Sequence, residues 1–208
     1  MNPAAYWDRV AGTKTFGHPL DVARLEALAP APLRVLDVGC GEGRLLEVLQ
    51  AAGHRRLHGV DIAPRMLERA RRAVPDATLA LCEGRELPFD DGAFDAVLFA
   101  ATFTSAPAAD VQRALATEAM RVLAPGGVVF VSDLPLQDDA RNRARYARGA
   151  PGFPHGAFTM GDGGVCRHHA EGHFEALFDT LELIRRDALD GRTMNGNPIR
   201  MQQLWFRG

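Results

Sequence analysis

An α/β fold with a largely parallel sheet covered by helices on both faces is what this 208-residue sequence predicts, and three observations predict it. Short apolar runs alternate with longer stretches whose apolar residues recur three and four apart. Such alternation is the mark of strand–helix–strand units rather than of a bundle or a sandwich. The first clear apolar run ends in a carboxylate, Asp37, and breaks at once into Gly39-Cys40-Gly41-Glu42-Gly43. A glycine-rich break between a strand and a helix brings bare backbone, and the N–H groups of the helix start, close to a ligand.

Each element has a local reason. Asp21 to Leu28 reads as a helix bounded by Pro30 and Pro32, and Arg34 to Val38 as the first strand. The next helix runs from about Gly43 to Ala52, where Gly53 stops it. Strand two spans Leu57 to Val60, and Pro64, well suited to a first helical position, opens a helix to about Ala73. Thr78 to Leu81 and Ala96 to Ala100 give strands three and four, Ala108 to Leu123 a long helix, and Val128 to Ser132 strand five. A helix near Ala170 to Phe178, a strand near Leu181 to Asp187 and a last strand from Ile199 to Phe206 complete a seven-stranded sheet. Asn195-Gly196 marks a hairpin turn before that last strand. The stretch 134–170, rich in proline and glycine, is too long for a plain connection and reads as a substrate lid or insertion. The organisation expected is one domain over 1–208, with residues 1–30 as an N-terminal cap.

Composition narrows the classes. An apolar content of 47% supports one full core, and a net charge of −2 offers no bulk attraction to nucleic acid. Three scattered cysteines form no CxxC metal site and cannot all pair, which points to a reducing cytoplasm. The start of the chain lacks a basic and apolar leader, and no run of 18 apolar residues occurs, so neither a signal peptide nor a membrane span is expected.

The spacing of the glycines speaks about the ligand. A dinucleotide fingerprint would place its third glycine at position 44, which is Arg, and no Gly-Lys-Ser/Thr follows for a Walker loop. Asp37 would repel a pyrophosphate and favour an ammonium or sulfonium group. Asp61 follows about one helix and one strand later, the distance needed to traverse one helix and return on the neighbouring strand.

Five ordered motifs carry a resemblance. They are Val35 to Gly43, Gly59-Val60-Asp61-Ile62, Leu81 to Phe89, Phe94 to Phe99, and Arg121-Val122-Leu123-Ala124-Pro125-Gly126-Gly127. Over about half its length the chain resembles the class I S-adenosylmethionine-dependent methyltransferases of the small, single-domain, type 11-like kind. The resemblance implies a Rossmann-like sheet whose last strand is antiparallel, and S-adenosylmethionine as cofactor with S-adenosylhomocysteine as product. It implies that Asp37 faces the methionine amino group and that Gly39, Cys40 and Gly41 present backbone to the methionyl part. Asp61 would hold the ribose, Ile62 and Met66 would flank adenine, and Glu83 with Gly84 and Arg85 would read it. Glu83 departs by one methylene from the family's usual aspartate. Ala100 would lie beside the sulfonium.

The sulfonium supplies its own leaving group, so alignment and exclusion of water matter most, and a general base is optional. Candidate bases are His18 and His169, followed by His155, His168 and His173. His169 and His173 stand at helical spacing without an evident third ligand, so no metal is expected. The stretch Asp138 to Arg148 reads either as a solvated helix face or as a basic lid for an anionic acceptor. The function expected is methyl transfer to oxygen or nitrogen of a small molecule, with no nucleic-acid or membrane partner. RNA or protein methylation and a non-catalytic cofactor-binding scaffold are the alternatives. The sequence leaves acceptor and oligomeric state open, with Trp7 and Trp205, if exposed, as candidate contacts.

Overall fold

The computed structural model describes residues 2–14, 17–29, 32–83 and 85–208. Parallel strands β1 (Arg34–Val38), β2 (Arg56–Asp61), β3 (Thr78–Leu81), β4 (Phe94–Ala100) and β5 (Leu123–Asp133) join β8 (Glu182–Arg192) and β9 (Pro198–Arg207) in one seven-stranded sheet of order β3-β2-β1-β4-β5-β9-β8. Only β9 runs against its neighbours, pairing antiparallel with both β5 and β8. A separate two-stranded hairpin is formed by β6 (Ala157–Thr159) and β7 (Val165–Arg167).

Alternation of side chains along the strands builds the two halves of the core. Leu36, Val38, Val97, Phe99, Val129, Val131, Leu204 and Phe206 share one face with α6 (Ala109–Val122) and α8 (His173–Leu177). Val35, Leu57, Ala96, Leu98, Val128, Phe130 and Trp205 share the other with α2 (Val22–Leu28), α3 (Arg44–Ala51) and, through Leu67, α4 (Pro64–Ala73). Both tryptophans therefore belong to the interior: Trp205 is fully buried 4.4 Å from the Phe130 ring, and Trp7 is buried against Tyr6. Neither is an exposed contact for a second molecule.

Strand order decides where a ligand can sit. β1 pairs with β2 on one side and β4 on the other, so the chain leaves the sheet in opposite directions after these two neighbours. A crevice opens at their carboxyl ends, the place where open α/β sheets bind ligands.

Several elements go beyond those the sequence predicts. α1 (Pro3–Val10), capped by the Asn2 side chain accepting from the Ala4 N–H at 2.9 Å, lies within the expected N-terminal cap. A single helical turn, α5 (Thr102–Ser105), follows β4 directly, and its four residues are too few to carry a periodic signal. The stretch 134–170 contains α7 (Ala140–Arg148), started by the Asp139 cap, and the β6–β7 hairpin. β5 begins five residues before the expected Val128: Leu123 pairs with Phe94, the ladder skips the Pro125-Gly126-Gly127 turn, and Val128 then pairs with Ala96.

α1 is tied to the hairpin turn through Asp162. The Tyr6 hydroxyl donates to both carboxylate oxygens at 3.1 Å, Lys14 Nζ lies 2.6 Å away, and Arg9 donates to the Asp162 carbonyl. Asp162→Ala is expected to loosen this roof by about 1 kcal/mol. Amide exchange across α1 should then be several-fold faster, while exchange in β1 and β4 stays as it was; unchanged α1 protection would show that the latch contributes nothing.

Candidate ligand cavity at the carboxyl edge of the sheet

A cavity of about 1060 Å³ opens at the carboxyl ends of β1, β2 and β4. Asp37, the fourth residue of β1, projects into it while being only 2% exposed. Among the described residues no hydrogen bond reaches its carboxylate. Burial raises it to about 7; the Arg44 cation pulls it back somewhat and the Asp61 charge pushes it further up. A buried carboxylate with free lone pairs suits a cationic or N–H-rich ligand.

The glycine turn is fixed by its backbone. The N–H groups of Gly39 and Cys40 both donate to the Val60 carbonyl, at 2.8 and 2.9 Å, and so tie the loop to β2. Gly39 (φ +75°) has no space for a side chain because a Cβ would press on Thr102 at 2.9 Å. Gly41 (φ +54°) differs: nothing lies within 4 Å of where its Cβ would be, so its backbone faces open cavity. Cys40 turns its thiol away, against Gly59, and burial and the nearby carboxylates hold it protonated. A thiol so placed and kept protonated is a poor nucleophile.

Asp61 closes β2. One oxygen accepts from the Gly41 N–H and the other from the Ala63 N–H, both at 2.8 Å, so the carboxylate is clamped with a lone-pair site left on each oxygen. Burial raises its pKa, and those backbone donors oppose the rise. Ile62 and Met66 line the same cavity and pack on Tyr6 and Trp7 of the roof. Glu83 is exposed at its rim, and Arg85 there is paired with Asp110 at 2.7 Å. Gly84 lies outside the described residues. Ala100, at the end of β4, faces the cavity from the opposite wall.

The histidines part company. His18 is buried, with Nδ1 3.0 Å from Ser132 Oγ and its carbonyl accepting from Arg44 Nη1. It lines a second, smaller pocket that shares Ala101 with the main cavity. Burial and the Arg44 cation depress it to about 4, so it is neutral near pH 7. His169, expected at the substrate, is fully buried and lines neither space. It stacks on His173 at 4.6 Å, contacts Gln112, and stands 3.6 Å from Asp133; burial and neighbouring cations lower it to about 2. Its role is a structural one, because Gln112 collects Phe103, Ala106, His173 and Arg167 around it. His168 accompanies His18 in the smaller pocket, held by the Tyr146 hydroxyl at 2.6 Å. Among the described residues no group of three or more His, Cys, Asp or Glu is arranged to hold a metal ion.

Comparison with known proteins finds likeness over the part of the chain that holds most of this cavity. Residues 35–127, which hold the glycine turn, Asp61, Glu83 and Ala100, match a family model described as a methyltransferase domain. Over that stretch, a little under half of its length, the chain is similar to methyltransferases.

Relatives and structural neighbours of the chain fill in the likeness. It is 42% identical over 114 residues to the demethylmenaquinone methyltransferase of Thermus thermophilus, across 52% of this chain and 50% of that one. It is 33% identical over 118 residues to the 2-methyl-6-phytyl-1,4-hydroquinone methyltransferase of Synechocystis, across 55% and 36% respectively. The chain spans about half the length, or less, of the curated relatives it matches. A crystal structure of a SAM-dependent methyltransferase from Methanosarcina mazei superposes with a TM-score of 0.83 at 21% identity, covering 92% of this chain and 98% of that one. That likeness is one of fold.

Several residues that line the cavity carry no sequence signal. Ala101 is, among the described residues, the only non-glycine with positive φ (+61°), a conformation that costs about 1–3 kcal/mol and that clusters at ligand sites. It caps α5, whose Thr102 hydroxyl donates to the Val38 carbonyl at 2.7 Å and so locks the end of β4 to the end of β1. An alanine in a strand–turn junction gives no hint of this in sequence. Tyr6, Trp7, Lys14 and Gly164 close the roof from segments roughly 150 residues apart, which no local pattern could announce.

Proposed function

We propose that the protein transfers a methyl group from S-adenosylmethionine to oxygen or nitrogen of a small-molecule acceptor. One observation carries the reading: Asp37, Asp61 and Glu83, from the ends of three neighbouring strands, border a single cavity with the open backbone of Gly41. The residues fit the cofactor on this structure's own terms. Asp37 offers free lone pairs where an ammonium group would be held, and Asp61 keeps one acceptor site per oxygen for a pair of hydroxyls. Ile62 and Met66 supply apolar surface for a flat base. When bound, the cofactor supplies an activated methyl on a sulfonium leaving group.

The chain's own tasks are then alignment and dryness. The roof of α1 and the β6–β7 hairpin, together with the rest of 134–170, acts as a lid that keeps water from the site. Ala100, being small, leaves room beside it, and His18, neutral near pH 7, can accept a hydrogen bond that orients an acceptor hydroxyl. His169 takes no step. At about 1060 Å³ the cavity is at the upper end of the 300–1,000 Å³ or so typical of ligand sites, so it holds more than one small molecule. That room favours an enzyme over a scaffold that binds cofactor alone. The acidic balance of the chain and the quinone-type acceptors in the names of its relatives support a small molecule over RNA. No helix among the described residues is long and apolar enough to cross a membrane, and the three free cysteines suit a reducing cytoplasm.

Calorimetry with S-adenosylhomocysteine tests the reading. One site per chain with micromolar or tighter affinity is the expected result. A purified, folded protein that evolves no heat with either adenosyl compound and shows no thermal stabilisation by them would end it.

A further inference from the structure

The ligand cavity has a neighbour with no carboxylate among its described lining residues. The smaller pocket that touches it at Ala101 has a volume of about 50 Å³ and lies between α5, the α7–β7 segment and the turn after β8. His18, Thr104, Arg145, Phe158, His168 and Arg192 line it, and among the described residues no aspartate or glutamate does. The main cavity mixes signs: Asp37, Glu42, Glu47, Asp61 and Glu83 border it together with Lys14, Arg44, Arg69, Arg72 and Arg85.

Among the described residues neither arginine is neutralised. The Arg145 guanidinium lies 4.8 Å over the Phe158 ring and donates to Asn142 Oδ1 at 3.3 Å, a long bond to an uncharged group. Arg192 donates to the Gly196 carbonyl at 2.9 Å. Carboxylates close by in the fold are already engaged: Asp133 accepts from the Thr104 N–H and hydroxyl, Asp139 caps α7 and accepts from the Asn142 amide, and Asp162 is held by Lys14 and Tyr6. The two histidines are neutral, and burial keeps them so. Arg145 is half-buried and Arg192 exposed, and two guanidinium groups without a carboxylate partner beside an apolar wall of Phe158, Met160 and Ile199 suit an anion. The volume decides its size. Room for about three or four water-sized groups suits a flat three-atom head and is tight for a phosphoryl group.

We propose that this inner pocket receives a carboxylate carried by the methyl acceptor, anchored by Arg145 and Arg192, with the rest of the acceptor passing Ala101 into the main cavity. The proposal rests on the methyl-transfer reading and names the acceptor class for it: a small apolar or aromatic acid. The strained Ala101 is the threshold between the cationic ligand's half of the site and the anionic ligand's half.

Benzoate, its neutral counterpart benzamide, and phenyl phosphate are the probes, each followed by ligand-observed NMR on protein saturated with S-adenosylhomocysteine. Benzoate is expected to bind and benzamide not. Arg145→Gln and Arg192→Gln should each weaken benzoate about tenfold, Arg145→Lys should do so less, and S-adenosylhomocysteine affinity should stay within about twofold in all three. Thermal melting identifies any variant that fails to fold, and the other substitution then decides. Equal binding of benzoate and benzamide, no benzoate binding, or indifference of benzoate to both substitutions would overturn the proposal. Tighter binding of phenyl phosphate would overturn the carboxylate in favour of a phosphoryl group. Should S-adenosylhomocysteine itself not bind, the methyl-transfer reading fails separately, and the same probes on the free protein still decide whether the pocket is an anion site.

Discussion

Asp61→Ala is expected to weaken S-adenosylhomocysteine binding by at least about 100-fold. Two ribose hydroxyls donating to one carboxylate are charge-assisted bonds of about 1.5–3 kcal/mol each, and about 1.4 kcal/mol is a decade of affinity. The carboxylate also clamps the Gly41 and Ala63 N–H groups, so its loss frees the glycine turn as well as the ligand. Asp61→Asn separates the two effects. Its amide oxygen can still hold one backbone N–H but cannot accept from the second N–H and both hydroxyls, so it should melt nearer to wild type and still bind more than about tenfold worse. Calorimetry beside thermal melting checks this, and an alanine variant that binds like wild type would remove Asp61 from the ligand site.

The second large effect is on pH. Asp37, raised by burial to about 7 against an ordinary 3.8, keeps its proton in the folded protein over a range where the unfolded chain has lost it. A raised carboxyl makes the native state the better proton binder, so stability is greatest near pH 4, falls as pH rises to about 7, and is level above that. The slope for one such group is at most about 1.4 kcal/mol per pH unit. Asp133, raised by burial to about 6 while accepting from Thr104 and the Leu134 N–H, adds a contribution of the same sign that ends one unit lower. Asp37→Asn should flatten the part of the stability profile between pH 6 and 7, measured by urea denaturation. The ligand reverses the sense. An ammonium group beside Asp37 favours the charged form, so binding near pH 6 should release a proton and affinity should climb with pH until about 7. Calorimetry in two buffers of different ionisation enthalpy reads that proton directly; a proton count of zero at pH 6 would mean that Asp37 does not meet a cation.

Much of the sheet was legible because its signals are local. Arg34–Val38 and Thr78–Leu81 are short β-prone runs between breakers, and Pro64 and Gly53 mark a helix start and a helix stop that the structure keeps to within a residue or so. The strand-end positions of Asp37 and Asp61 follow from the same pattern, and the parallel order then turns them toward one edge. His169 shows the opposite case. A histidine in Arg167-His168-His169 looks chemically available in sequence, yet the chain returns it beneath α6, where Gln112 and Asp133 surround it. Nothing in its local sequence distinguishes it from His168, which reaches a pocket.

By itself, then, the order of residues determined an α/β sheet with a glycine turn and two carboxylates at adjoining strand ends, since these depend on periodicity, backbone sterics and the sign of a charge. Only the tertiary structure decided how the site is closed and divided. Tyr6 reaches Asp162 across 156 residues and His18 reaches Ser132 across 114, and such contacts form through the packing of whole elements. The same packing strains Ala101 between β4 and α5 and leaves Arg145 and Arg192 without a carboxylate partner among the described residues. Local preference sets which element a residue joins; burial, which is a property of the assembled core, sets which charge it keeps and what it can meet.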